Sequence, residues 1–501
     1  GFRIGATYLY FGDLEIGGGE ELNNSNYDGR FIDAKMRFVV NRNVQVSLLY
    51  QHVRLDDIPR HHSTVDAVTF QGTTPGNNLR RNFDQDRDLL AATIHLYNGS
   101  FFEDGWVKFG YQSQSELQDR IRSSGRRDKT GFDLDTYFVT TQFTSRTGIG
   151  ELTYGLDVYL DEVDSFADRT NPDGTTQSFA QGPIGDNSRY FSLGLFIQDR
   201  IELGSWGELI LGARFQHVDV ESGTVLDPIT GTVSSIEDDF QSAVGTARLL
   251  IRATENLNFF LSAGSAFRAP NLSDLTRLTS ARSNEIEVPS PGLESEYYVG
   301  FEVGARYQSR PFQAEVALFH TILIDAIDRR PTGQVIDNEF VVIKDNVGDG
   351  FIQGGELQAT WRFAEDFALS GQLTYLDGEA DTFPTSQDNI EREPVSRLMP
   401  LTTRFALDWT PRDTGFRARA EVELVGGQDD LTTRDRGDTQ RIPPNGTPGY
   451  TIYNLFLGYD FDPKRSVFLS LLNISDKEYR IHGSGSQEPG FGVRAGFDLR
   501  V

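Results

Sequence analysis

The chain reads as an all-β protein: one large antiparallel transmembrane β-barrel of about 20 to 22 strands, with short periplasmic turns and long extracellular loops. Three observations point there. Apolar and polar residues alternate over strand-length runs, short and long polar links alternate between those runs, and no apolar run suits a membrane helix. From Tyr297 to Tyr307, the residues Tyr297, Val299, Phe301, Val303, Ala305 and Tyr307 face one way. Tyr298, Gly300, Glu302, Gly304 and Arg306 face the other, because successive side chains of a strand point to opposite faces. An oily face backed by Glu and Arg suits a wall with lipid outside and water inside. The same pattern sets Leu257, Phe259, Leu261 and Ala263 against Asn258, Ser262 and Gly264. It sets Phe416, Ala418, Ala420, Val422 and Leu424 against Arg417, Arg419, Glu421 and Glu423, and Phe491, Val493, Ala495, Phe497 and Leu499 against Gly492, Arg494 and Asp498. A soluble sandwich alternates too. Runs of roughly 10 to 14 residues with Arg and Glu on the wet face favour a tilted, membrane-spanning wall.

The connections set the topology. Nine short links, such as Asn41–Asn43, Gly204–Gly207 and Asp462–Arg465, alternate with ten long polar stretches. The long ones lie near residues 13–27, 53–87, 113–131, 162–187, 221–239, 269–294, 325–351, 377–396, 427–448 and 475–490. Strict alternation gives twenty strands, with both chain ends on the periplasmic side. Residues 1–501 form a single barrel domain on this reading.

Composition agrees. The chain has 501 residues and no run of about 18 apolar ones, so no membrane helix is available. Mean hydropathy is -0.40, which a membrane protein tolerates when half of each strand is polar. Fifty glycines and 12% aromatic residues suit twisted strands and interfacial girdles. A net charge of -26 excludes nucleic acid as a partner, which needs a basic surface. No G-x-S-x-G elbow, Walker loop or H-E-x-x-H motif appears, so the chain does not read as an enzyme.

At Phe267, Arg268, Ala269 and Pro270 a recognisable signature appears. It resembles the "FRAP" strand end of TonB-dependent outer-membrane receptors. Pro291, Gly292, Leu293, Glu294, Ser295 and Glu296 are similar to that family's "N-P-x-L-x-x-E" step. Asn346 and Gly348, then Gly354, Gly355 and Glu356, resemble its "N…G…G-x-E" hairpin. Asn473, Ile474, Ser475, Asp476, Lys477, Glu478 and Tyr479 resemble "N-L-x-D-K-x-Y" before the final strand. Tyr27, Asp28 and Gly29, with Tyr50 and Gln51 and with Ile58, Pro59 and Arg60, look most like the heme, hemoglobin and transferrin-type branch.

The resemblance implies an integral protein of the bacterial outer membrane, set in lipid and lipopolysaccharide. It implies energised uptake of a scarce small-molecule solute: a metal chelate or siderophore, a heme-like cofactor or an oligosaccharide. TonB with ExbB and ExbD would act through an N-terminal plug, which together with a first hairpin is expected upstream of Gly1. A barrel closed by twenty strands without a plug is the other reading of the loop count. A passive pore, or a structural barrel anchoring a larger envelope complex, are the alternative functions. No resident cofactor or metal is expected, and the loop histidine that such receptors use for heme is absent between Pro270 and Leu293.

Arg268, Arg277, Arg282, Arg306, Arg417 and Arg419 are the ligand-binding candidates, since lumenal guanidinium groups suit an anionic chelate. The competing reading is that they pair with Glu302, Glu421, Glu423 and plug carboxylates. His61 and His62 read as part of a solvated loop, and His320 and His482 as girdle or loop residues. Asp429, Asp430, Asp435 and Asp438 likewise read as a solvated acidic loop.

Overall fold

In a computed structural model, which describes residues 1–280, 285–336 and 338–500, the alternation becomes one 24-stranded sheet and a separate small hairpin. Twenty long strands pair antiparallel in chain order, from Phe2–Phe11 to Gly492–Leu499. Four shorter strips, Thr176–Phe179, Thr279–Ser280, Glu285–Glu287 and Glu391–Pro394, edge the loop end. Glu285–Glu287 runs parallel to Phe340–Val342.

The register gives the wall its two faces. Leu209, Leu249, Leu261, Val303 and Leu318 stand side by side across five strands. Leu261, Val303 and Leu318 are exposed. One residue along, Ile210, Arg248, Ser262 and Glu302 make the matching row on the opposite face. A continuous exposed apolar face is far larger than water-soluble proteins carry, so lipid meets the first row and water the second. Val303 and Phe416 are exposed, and Val299 and Val422 are half-exposed, so none of these outward residues belongs to a compact core.

Aromatic rings mark the membrane interfaces. Beside the short links, Trp361, Phe363, Phe367, Trp409, Phe416, Tyr459 and Phe461 form an unbroken chain of ring contacts with centroids 5.0 to 6.4 Å apart. At the other end, the Tyr50 hydroxyl donates to Asp88 at 2.8 Å and the Tyr111 hydroxyl to Asp135 at 2.7 Å. Phenols anchored between apolar rows and carboxylates fit a headgroup level.

Several stretches that read as long loops are paired strand. Phe312–Ile336 and Glu339–Ala364 are 25 and 26 residues long and enclose 325–351 in a tall hairpin. Asp104–Arg122 and Arg127–Arg146 do the same for 113–131, and Gly207–Leu226 with Val233–Arg252 for most of 221–239. The estimate of 10 to 14 residues per strand is therefore too short for these. Above the lipid both faces meet water, so alternation fades from the sequence while backbone pairing continues. Pairs such as Arg127–Asp119, at 2.7 Å, replace the oily face there.

Glycine opposite phenylalanine is a repeated device. Gly110 faces Phe138, Gly155 faces Phe196, Gly304 faces Phe260 and Gly354 faces Phe319. Each ring lies across the bare backbone of its partner, covering a position that would otherwise be thinly packed. This explains why Phe260 sits on the wet face beside outward-facing Phe259.

The wall has a seam. Phe2–Phe11 pairs with Tyr27–Asn41 alone, and Gly492–Leu499 with Arg465–Leu472 alone; among the described residues no ladder joins the first strand to the last. Closure by twenty strands is thus not what the ladders form. At the mouth, loops bridge the two edges, with the Gly490 N–H donating to the Glu15 carbonyl at 2.9 Å and the Gly18 N–H to Asp476 at 3.0 Å.

Gly304→Val is expected to destabilise the folded barrel, since a Cβ there would lie 2.1 Å from the Phe260 ring and 2.5 Å from the Val316 carbonyl oxygen. The check is a lower temperature for loss of the compact, heat-modifiable band on semi-native gels; unchanged mobility would show that the ring swings clear. Gly292→Val, at a position with open space around it but a φ of +85°, serves as the loop control.

Candidate functional site: the lumen and its extracellular mouth

The wall arginines singled out in the sequence are placed beside carboxylates. Arg306 donates to Glu315 at 2.7 Å, and Arg417 to Asp460 at 3.1 Å. Arg419 stands 3.6 Å from Glu421 and 3.8 Å from Asp408. Arg277 lies 4.0 Å from buried Glu287, and Arg282 lies outside the described residues. The partners of Arg306 and Arg417 come from the neighbouring strands, as cross-strand register allows, whereas Glu421 shares a strand with Arg419.

Arg268 is the most heavily engaged. Its Nε donates to Glu296 at 2.5 Å and its Nη1 to Asp274 at 2.5 Å. Glu296 also accepts from the Tyr298 hydroxyl at 2.7 Å and the Ile327 N–H at 2.5 Å. Asp274 closes a capping box with Asn271 that starts the short helix Leu272–Thr276. Asn346 completes the arrangement, accepting from the Glu294 N–H at 2.8 Å and donating to the carbonyls of Glu294 and Asp325. The motif residues thus form a clamp that fixes the loop after Pro270.

That loop fills part of the mouth. Ala269, Leu272, Leu275 and Leu293 pack with Val163, Val218, Val220 and Phe240, which point inward from three wall strands. The final motif works similarly: Asn473 bonds the Lys477 N–H and the carbonyls of Lys477 and Pro489, and Tyr479 packs on Tyr450 with centroids 4.3 Å apart. Glu356 lies exposed on the inward face of its strand.

Ion pairs and arginine stitches tie the loops into a rim. Arg434 grips Glu285 through two bonds of 2.6 and 2.7 Å, joining 427–449 to 269–295. Arg480 donates to the Val68 carbonyl at 3.1 Å and the Gln440 carbonyl at 3.3 Å, and lies over the Phe70 ring. Burial pushes Arg480 down to about 10, still charged at neutral pH. Asp435 is buried as a helix residue capped by Thr432, and Asp438 pairs with Arg397 and Arg441, so neither is a solvated acid. His61 and His62 are also buried, in a single turn of 3-10 helix, and His482 is buried against the Thr447 hydroxyl at 2.8 Å. Burial, followed by the nearby arginines, pushes His62 down to about 3, so it is neutral.

Three residues that sequence reading missed as a group stand together at the mouth. The Arg60 N–H bonds the Arg81 carbonyl at 2.8 Å, and Arg81 pairs in register with Arg120. They share the face opposite outward-pointing Leu90, which is the lumenal one. Sixty residues separate the first from the last in sequence, so only the ladder reveals the row. On the outward face, His52, Asp86 and Asp88 bring ligand-type atoms within 4.8 Å of one another. Asp88 there is already bonded by Tyr50 and by His52 at 3.2 Å, and the cluster lies away from the lumen.

Residues 5–474 match the family model described as TonB dependent receptor-like, beta-barrel. The chain belongs to the TonB-dependent outer-membrane receptors. Among solved structures it is similar to copper transporter OprC at TM-score 0.79 and 16% identity, over 99% of this chain and 76% of that one. It is similar to a double mutant of the Serratia marcescens hemophore receptor HasR, in complex with its hemophore HasA and heme, at TM-score 0.76 and 18% identity, over 100% and 76%. It is similar to the FrpB iron transporter from Neisseria meningitidis at TM-score 0.74 and 15% identity, over 99% and 76%. This TonB-dependent receptor is therefore an integral protein of a Gram-negative outer membrane, a transporter and not an enzyme. Its family works with TonB and carries small-molecule substrates.

Arg268→Ala in this receptor removes the donor shared by both clamp carboxylates, leaving Glu296 its Tyr298 and Ile327 bonds and Asp274 its Asn271 bond, and is expected to loosen the clamp by about 2 kcal/mol. Faster tryptic cleavage after Arg277, with the barrel intact, is the expected result; unchanged cleavage would mean that Asn346 alone holds the loop. His62 supplies a pH prediction. Its folded value lies below the unfolded one, so its contribution is complete above about 6.5 and is lost as pH falls toward 3. Going from pH 6.5 to 5 is expected to weaken the 60–77 loop by about 2 kcal/mol. Hydrogen exchange of that loop should accelerate over this range, and His62→Gln should flatten the dependence.

Proposed function

We propose that this chain is the wall of an energised importer for a scarce metal chelate, driven through TonB, ExbB and ExbD. The supporting observation is the family match over residues 5–474 on a wall whose inward face carries Arg248, Ser262, Glu302 and Arg306. A wall this wide cannot be filled by its own side chains. A plug preceding Gly1 would fill it, and a hairpin beside it would supply the partners that the seam lacks. Unpaired strand edges in hydrocarbon are strongly unfavourable, which favours this reading over a twenty-strand pore. The solved relatives are named as copper and iron transporters and as a hemophore receptor bound to heme, which supports a metal-bearing cargo. With no histidine between Pro270 and Leu293, a chelate other than heme is the better fit.

The test is accumulation of radiolabelled iron and copper chelates by a receptor-deficient strain carrying the complete reading frame. Saturable uptake, abolished by a protonophore and by loss of TonB, is expected. Flux that survives both treatments would make the protein a passive pore, and no flux at all would leave an anchoring role in a larger envelope complex.

A further inference from the structure

The geometry points to a carboxylate-binding station at the extracellular mouth, built from Arg60, Arg81 and Arg120, for a chelate bearing two or more carboxylates. It rests on the reading of this chain as a chelate receptor and adds the chemistry of the cargo. Arg81 and Arg120 are paired on neighbouring strands and face the lumen, and Arg60, one residue past the end of the strand Val44–Pro59, continues their row through its N–H bond to the Arg81 carbonyl. Neighbouring strands are about 4.8 Å apart, so the row spans roughly 10 Å, the breadth of one small polycarboxylate.

Charge is the first argument. The protein carries a net charge of -26, and several other mouth arginines find acids, among them Arg127 with Asp119, Arg122 with Asp128 and Arg434 with Glu285, while Arg480 is held by the carbonyls of Val68 and Gln440. Among the described residues, Arg60, Arg81 and Arg120 have no carboxylate within 4.0 Å. Like charges side by side repel unless an anion joins them. The adjoining cation Arg441 is already matched to Asp438 at 2.9 Å, and buried His62 is neutral.

Orientation is the second. Arg81 spends its Nε on Gln118 at 2.6 Å, and Arg120 spends its Nε on Asn78 at 2.6 Å. Neutral amide oxygens thus hold each stem and leave both terminal nitrogens of each guanidinium unengaged. That end-on fork is the one that takes a carboxylate with two parallel bonds. Arg60 lies over the Phe83 ring at 5.2 Å, which fixes its plane without consuming its donors. Arg60 is exposed and the other two are half-buried, so a solute in the lumen reaches all three.

The experiment uses outer membranes carrying the full-length protein, titrated with radiolabelled ferric citrate and with a neutral ferric trihydroxamate. Parent protein should bind the tricarboxylate chelate saturably and in a salt-sensitive way. Arg81→Ala should weaken that binding by about tenfold or more, and Arg81→Lys should restore part of it, because charge returns without the fork. Arg465→Ala, at the short link Asp462–Arg465 where it pairs with Asp462, should leave it unchanged, and heat-modifiable mobility verifies that each variant is folded. Equal affinity in parent and Arg81→Ala, or no saturable citrate binding by the parent, overturns the station. If the neutral chelate is nonetheless imported in an energy-dependent way, the receptor reading stands while this one falls. Absence of energised import for every chelate tested, with citrate still bound through Arg81, instead sinks the receptor reading and keeps the station.

Discussion

Hydrocarbon offers no partner to a peptide group, and that constraint organises the whole molecule. Every N–H and C=O at membrane depth must be met by another strand, so the chain is a continuous antiparallel ladder rather than a set of packed layers. Register follows from the same demand, since slipping one residue would turn Leu249, Leu261 and Val303 toward water and Arg248 and Glu302 toward lipid. The seam beside Phe2–Phe11 is where the constraint is left unmet within this chain, and it supports the proposal of a further hairpin there.

Above the lipid the demand relaxes, and the chain spends its polar residues differently. Tall hairpins carry the backbone ladder into water, and loops return over the mouth, held by ion pairs such as Arg434–Glu285 and by the Arg480 bonds. The Arg268–Glu296–Asp274 clamp belongs to this layer. Its role is to fix a loop whose leucines cover the inner wall, so the recognisable motifs serve architecture. The unengaged guanidinium forks of Arg81 and Arg120 lie elsewhere, on residues with no motif around them.

Much was legible in the residues themselves. Period-two alternation is imposed locally by the pleat, so the wall strands, the short links and the lipid-facing set could be read directly. Strand ends could not: between 325 and 351 polar and apolar residues no longer alternate, and pairing there is a property of two strands, not of one. His61 and His62 were misread for a related reason, because a loop residue becomes buried only when other loops, here 427–449 and 473–491, close over it.

By itself the sequence determined which face of each strand meets lipid, because hydrophobicity and strand period are written residue by residue. Tertiary structure alone decided which charges cancel. Arg268 and Arg81 look equivalent in the chain, yet one lies between two acids and the other beside two arginines. Ladder register chose those neighbours, and electrostatic partnership depends on a few ångströms between strands whose residues lie far apart in the chain.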